Sequence, residues 1–161
     1  MNNILTLVGR YVRDLLHYDP NLMVEGRVND ELADNNISYI AYDANSLAQR
    51  IGDGESYDGD TEIQNLNIRY SQEFTLSFYG DDAYTNVDTF TLLQKSQAAY
   101  DKQYELEISA YLNSGITDLK LLTGSTYNNR FDVTIKILYN KSINISALRI
   151  DELQYNLITN K

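Results

Sequence analysis

The sequence predicts an α+β fold: one domain over residues 1–161, with a mostly antiparallel, mixed sheet of about five or six strands and two helices. Three observations carry this. Apolar residues recur at helical spacing near the N-terminus and again after residue 82. Clean period-two alternation marks residues 67–80 and 129–140. No repeat, low-complexity tract or linker divides the 161 residues, which suffice for one core.

The first helix follows from Ile4, Leu5, Val8, Tyr11, Val12, Leu15 and Leu16, with Asn2 or Asn3 able to cap its start. Pro20 excludes Asp19 from helical backbone and ends it. The one histidine, His17, then sits near the helix C-terminus, where positive charge is favourable. "LMVEGRV" (22–28) reads as a short strand with Gly26 as a bulge, "NDELADNN" (29–36) as a polar loop and "ISYIAYDA" (37–44) as a strand. "SLAQRIG" (46–52) fits a strand or a short helix. "GDGESYDGD" (52–60) has no apolar periodicity and reads as an exposed loop.

In the strand 67–80, Ile68, Tyr70, Phe74, Leu76 and Phe78 share one face, and Arg69, Ser71, Glu73, Thr75 and Ser77 the other. After Gly80 the period becomes helical through Ala83, Val87, Phe90, Leu93 and Gln97–Ala98, giving a second helix to about Tyr100. "YELEISAYL" (104–112) reads as a strand. A connection over 113–126 leads to the strand 129–140, whose Phe131, Val133, Ile135, Ile137 and Tyr139 point one way. Residues 143–158 supply one or two more strands, ending on Leu153, Tyr155 and Leu157.

The chemistry is mostly one of exclusions. Without cysteine there is no disulfide framework, thiolate zinc site or cysteine nucleophile. A lone histidine disfavours His-rich metal sites and His-based triads. No apolar run approaches the ~18 residues of a membrane span, and the polar residues of "MNNILTLVGRYVRDLL" interrupt any signal-peptide core. The net charge is −10, and residues 28–68 hold nine acids against one base, Arg50. Such a chain has no basic footprint for gripping nucleic acid, although DNA could slide past it without adhering. The acidic segment fails the calcium-loop spacing.

"LSFYGDDA" (76–83) raises the one catalytic question. Paired aspartates after Tyr-Gly hold magnesium in RNA-dependent polymerases, at a hairpin tip between two strands. Here a helix follows, so Asp81 or Asp82 is expected to cap it, each charge lying against the positive end of the helix dipole. A metal nuclease would need further carboxylates. Glu105, Glu107 and Asp132 read as outward strand positions, better explained as surface pairs with residues such as Arg130 and Lys136. No catalytic, cofactor-binding or metal residue is therefore expected. Of the 14 tyrosines, Tyr79, Tyr84, Tyr100, Tyr104, Tyr111 and Tyr127 fall off the apolar stripes, as sheet cover or as a subunit interface.

The run "RYSQEFTLSFYGDDAYTNVDTFTLLQKSQAAY" (69–100) resembles the tailed-phage neck or tail terminator family, in which a strand ends in an aromatic-Tyr-Gly turn and enters a helix. "YELEISAYLNSGITDLKLLTGSTYNNRFDVTIKILY" (104–139) continues in that family's order, through an Ile-x-Asp-Leu connection and an Arg-led strand. The resemblance implies a twisted sheet flanked by two helices, in a structural virion protein assembled in the host cytoplasm. It implies a homo-oligomeric ring, commonly of six subunits, that caps the head-proximal end of the tail tube, stops its growth and meets the head connector. Tail tube protein, neck proteins and passing genomic DNA are then the partners, with no membrane and no cofactor. Asp53, Glu55, Asp58, Asp60 and Glu62 become candidates for a loop lining the lumen, and Tyr79, Tyr84, Tyr104, Tyr111 and Tyr127 for the subunit interface. Two alternatives remain: a head-completion protein beside the portal, and a small non-catalytic domain whose acidic loop binds a cation or a basic partner.

Overall fold

The computed structural model describes residues 3–26, 37–119, 121–123 and 126–146, with 121–123 and 126–128 given by backbone alone. Helix α1 spans Ile4–Leu16, capped by the Asn3 side chain, which accepts from the Leu5 amide at 3.2 Å. It ends at exposed His17, whose left-handed backbone (φ 51°) lets its amide return to the Arg13 carbonyl. A single 3₁₀ turn, Pro20–Leu22, begins with Asp19 accepting from the Asn21 amide. Strand β1 (Met23–Glu25) stops before Gly26, which takes φ +111°. The polar segment 29–36 lies outside the described residues.

Strand β2 covers Tyr39–Ala44, β3 Gln49–Asp58 and β4 Ile63–Tyr79. Helices α2 (Ala83–Leu93) and α3 (Gln97–Glu105) follow, then β5 (Ile108–Leu112), β6 (Thr117–Asp118), β7 (Leu121–Thr123), β8 (Thr126–Asn128) and β9 (Arg130–Ser146). The α+β reading holds, with seven strands in one sheet and three helices among the described residues, where five or six strands and two helices are expected. Its spine is β1-β2-β4-β9-β5. Strand β3 pairs with β4 on the same side as β2 but further along, and β6 adds to β9. Among the described residues only β1–β2 is parallel within this sheet; β7 and β8 form a separate two-stranded pair.

Strands β4 and β9 are in continuous register from Ile63↔Ser146 to Tyr79↔Arg130. The two alternations read from sequence therefore coincide: Phe74 faces Ile135, Leu76 faces Val133 and Phe78 faces Phe131, all buried. Val8, Tyr11, Val12 and Leu15 of α1, with Ala83, Val87 and Phe90 of α2, close over that face. Full burial of each large side chain contributes roughly 1.5–3 kcal/mol. Gly9 lets α1 approach the sheet, since a Cβ there would sit 2.5 Å from the Tyr42 ring.

Three expectations need correction. The helix after Gly80 is broken at residues 94–96: Ser96 caps a new helix by accepting from the Ala99 amide at 3.3 Å, so Ala99 rather than Ala98 is buried. The strand expected from 104 begins at Ile108, because residues 97–105 stay helical and Glu107 turns the chain with φ 54°. Residues 52–58 are not loop but part of β3, an edge strand exposed on both faces, so burial imposes no apolar pattern on it. The ladder with β4, with a register shift between Arg50 and Gly52, makes it a strand. The C-terminal expectation of Leu153, Tyr155 and Leu157 on one face lies outside the described residues.

Candidate assembly surfaces

The Tyr-Gly-Asp-Asp stretch joins β4 to α2, not to a second hairpin strand. Gly80 takes φ +92° and presses against Ser38: a Cβ would lie 2.6 Å from its Cα. Asp82 holds the N-cap position, as expected, but its carboxylate accepts nothing from the helix amides. It is tied instead to Ser38, whose hydroxyl accepts from the Asp82 amide at 3.3 Å and lies 3.5 Å from its carboxylate. Asp81 is exposed in the same turn. Among the described residues, no group of three or more His, Cys, Asp or Glu side chains is placed to hold a metal ion.

The acids considered for a nuclease are also reassigned. Glu105 ends α3 and pairs with Arg10 of α1 at 2.7 Å and with Lys102 at 2.5 Å. Asp132 is bound by Arg130 of its own strand, through Nε at 2.9 Å and Nη2 at 2.7 Å. Glu73 lies opposite Lys136 in the β4–β9 register and accepts from the Asn113 side chain at 3.0 Å. Around Arg130 a cluster forms that the sequence does not announce. Tyr79 stacks on Tyr39 with centroids 4.5 Å apart, and the guanidinium lies 5.5 Å over the Tyr79 ring. The pairing of Tyr39 with Tyr79, and of Tyr79 with Arg130, puts all three side by side; only the register reveals it.

The five acids offered as a lumen loop belong to a β-hairpin. Asp53, Glu55 and Asp58 lie on β3, while Asp60 and Glu62 belong to the turn at 59–62. Asp58 organises that turn, accepting from the Asp60 amide at 3.0 Å and the Thr61 hydroxyl at 2.8 Å, and the Thr61 bond first, then the Asp60 amide, lowers its pKa. Arg50 pairs with Asp53 and Gln64 donates to Glu55. Acidic charge thus concentrates at one end of the longest strands.

Of the candidate interface tyrosines, Tyr79 is only 6% exposed and already used by Tyr39 and Arg130, so it offers no outer surface. Tyr84 is 57% exposed with one ring edge against Phe131, Tyr104 is 89% exposed and Tyr111 54%. The backbone of Tyr127 lies in β8, and its side chain is outside the described residues. The remaining surface has no described helix long and apolar enough to cross a membrane.

The sequence that builds this sheet and its helical layer is matched over residues 2–161 by the family model described as phage neck terminator protein. The chain belongs to the phage neck terminator family. No curated protein matches it. As a neck terminator it is a structural component of the virion that associates with tail and neck proteins. The Tyr-Gly-Asp-Asp turn is then a strand-to-helix joint within a terminator, in keeping with its hydrogen bonds to Ser38.

Proposed function

We propose that the chain, acting as one domain over residues 1–161, closes the head-proximal end of the tail tube as a hexameric ring. It stops tube growth and offers its other surface to the head connector. The family match over nearly the whole chain is the observation that carries this reading. Two features support it. Tyr84, Tyr104 and Tyr111 supply amphipathic surface of the kind enriched in subunit contacts. The acidic hairpin, with Asp53, Glu55, Asp58, Asp60 and Glu62, would keep passing DNA from adhering if its turn lines the channel. The protein functions without catalysis or cofactor, assembles in the host cytoplasm, and lets genomic DNA pass without sequence-specific contact.

The test is to mix the purified protein with the matching tail-tube protein and image the product. Rings seated on one end of each tube are expected. Protein that stays free beside bare tube ends would overturn the capping role.

A further inference from the structure

Among the described residues β5 ends the sheet, yet it is not an open edge. Ile108 and Ala110 are each only 6% exposed. The Ala110 amide points away from β9 and donates to Gln103 Oε1 of α3 at 3.0 Å. By the strand period, the backbone groups of Ile108 and Leu112 point the same way, whereas the Asn113 amide points inward, to the Thr134 carbonyl. A side-chain amide thus stands where a neighbouring strand would pair. The β3 margin is managed differently. That strand is exposed, and its register shift and the charges of Asp53, Glu55 and Asp58 disfavour pairing.

The helix that covers β5 is held mainly by polar bonds. Helix α1 buries Val8, Tyr11, Val12 and Leu15, and α2 buries Val87 and Phe90. Of the nine residues of α3 only Ala99 and Gln103 are buried, and Leu106 adds one apolar anchor just beyond it. Tyr100 and Tyr104 are exposed, so the helix turns an amide inward and its aromatic rings outward. Its other ties are Lys102 to Asp14 at 3.3 Å and Glu105 to Arg10 at 2.7 Å, both open to solvent and therefore weak. The break at 94–96 bounds α3 at one end, and Glu107, a non-glycine residue at φ 54°, bounds it at the other.

The polar junction beneath α3 also carries one hydrogen too many. Gln94 Nε2 is buried and finds no acceptor among the described residues. Turning that amide over would give its N–H to the Tyr11 oxygen. The Tyr11 hydroxyl hydrogen would then lose its acceptor, since Gln103 Oε1 already serves Ala110. Either way a buried donor is left over, which destabilises the closed arrangement.

We propose that α3 is a strap over the edge of β5. It opens as a unit between the 94–96 break and the Glu107 turn while α1, α2 and the sheet stay folded. Closed, it keeps β5 from pairing with another chain. The strap acts in the free chain and stands apart from the ring reading.

Native-state hydrogen exchange of the full-length chain reads the opening. Amides of residues 100–106 and the Ala110 amide should exchange together, on the order of 100-fold ahead of those in α1 and the β4–β9 ladder. Val133→Ala, in the core opposite Leu76, should speed exchange of β4 and β9 and leave α3 unchanged. Gln103→Ala should speed α3 and Ala110. Its mass in light scattering should rise with concentration as the bared edge pairs between chains, which Val133→Ala should not show. Lys102→Ala removes the tie to Asp14, leaves every buried side chain in place and should give the same two readings in milder form. An α3 that exchanges only in step with β4 and β9, in wild type and in Val133→Ala alike, would overturn the strap. Gln103→Ala and Lys102→Ala that scatter like wild type at every concentration would overturn the guarding of β5.

Discussion

Tyr11 joins elements that no local pattern connects. Its hydroxyl donates to Gln94 Oε1 at 3.1 Å and accepts from Gln103 Nε2 at 3.1 Å, while Gln103 Oε1 accepts from the Ala110 amide at 3.0 Å. All three side chains are buried, so α1, the end of α2, α3 and β5 are fixed to one another by polar atoms inside the core. Burial raises the Tyr11 pKa, against the lowering effect of these hydrogen bonds. Tyr11→Phe should cost about 1–3 kcal/mol in urea unfolding, because it strands two buried amides. A cost near zero would show that the network contributes nothing. Gly80→Ala should cost about 2 kcal/mol or more, from positive φ and contact with Ser38. Asp14 sets an acid dependence. Burial opposes its ionisation, but hydrogen bonds from Arg13 and Lys102 outweigh it and lower its pKa below the usual 3.8. The stabilisation is therefore complete above the unfolded value and is lost as pH falls through the lower folded one. Unfolding measured from about pH 5 to pH 2 should lose part of its slope in Asp14→Asn. An unchanged slope would exclude Asp14 as a source.

Among elements, what could be read depended on what buries each segment. Helix α1 and the inner halves of β4 and β9 were legible because a buried face forces a period on Val8, Val12, Phe74, Ile135 and their neighbours. Strand β3 was not, since it is exposed and its sequence, QRIGDGESYD, shows no apolar alternation. The break between α2 and α3 had a signal in Ser96, a good cap three residues before Ala99, but the apolar stripe runs through it. Gln94 shows why the break matters, because it carries the hydrogen bond to Tyr11 at the end of α2. Phe90, which packs against Phe78 with centroids 6.1 Å apart, should cost about 3–5 kcal/mol when changed to Ala, read by thermal or denaturant unfolding. By contrast, Asp81→Asn with Asp82→Asn should cost under ~1 kcal/mol, because neither carboxylate caps α2. A larger loss would restore the capping role.

At the scale of the whole molecule, the terminator resemblance was legible in the strand–Gly–helix run and the order of elements after it, and the family match extends it to residues 2–161. The candidate assembly surfaces were only half legible. Of the tyrosines off the apolar stripes, Tyr84, Tyr104 and Tyr111 are exposed candidates, but burial and pairing register were needed to withdraw Tyr79. The central claim is that the protein ends tube growth, and length distribution tests it most directly. Tail-tube protein is polymerised with increasing terminator, and tube lengths are measured by electron microscopy. Lengths should shorten and then freeze, with a ring at one end of every tube and no further growth when fresh subunits are added. Tubes that keep lengthening from both ends at saturating terminator would contradict it.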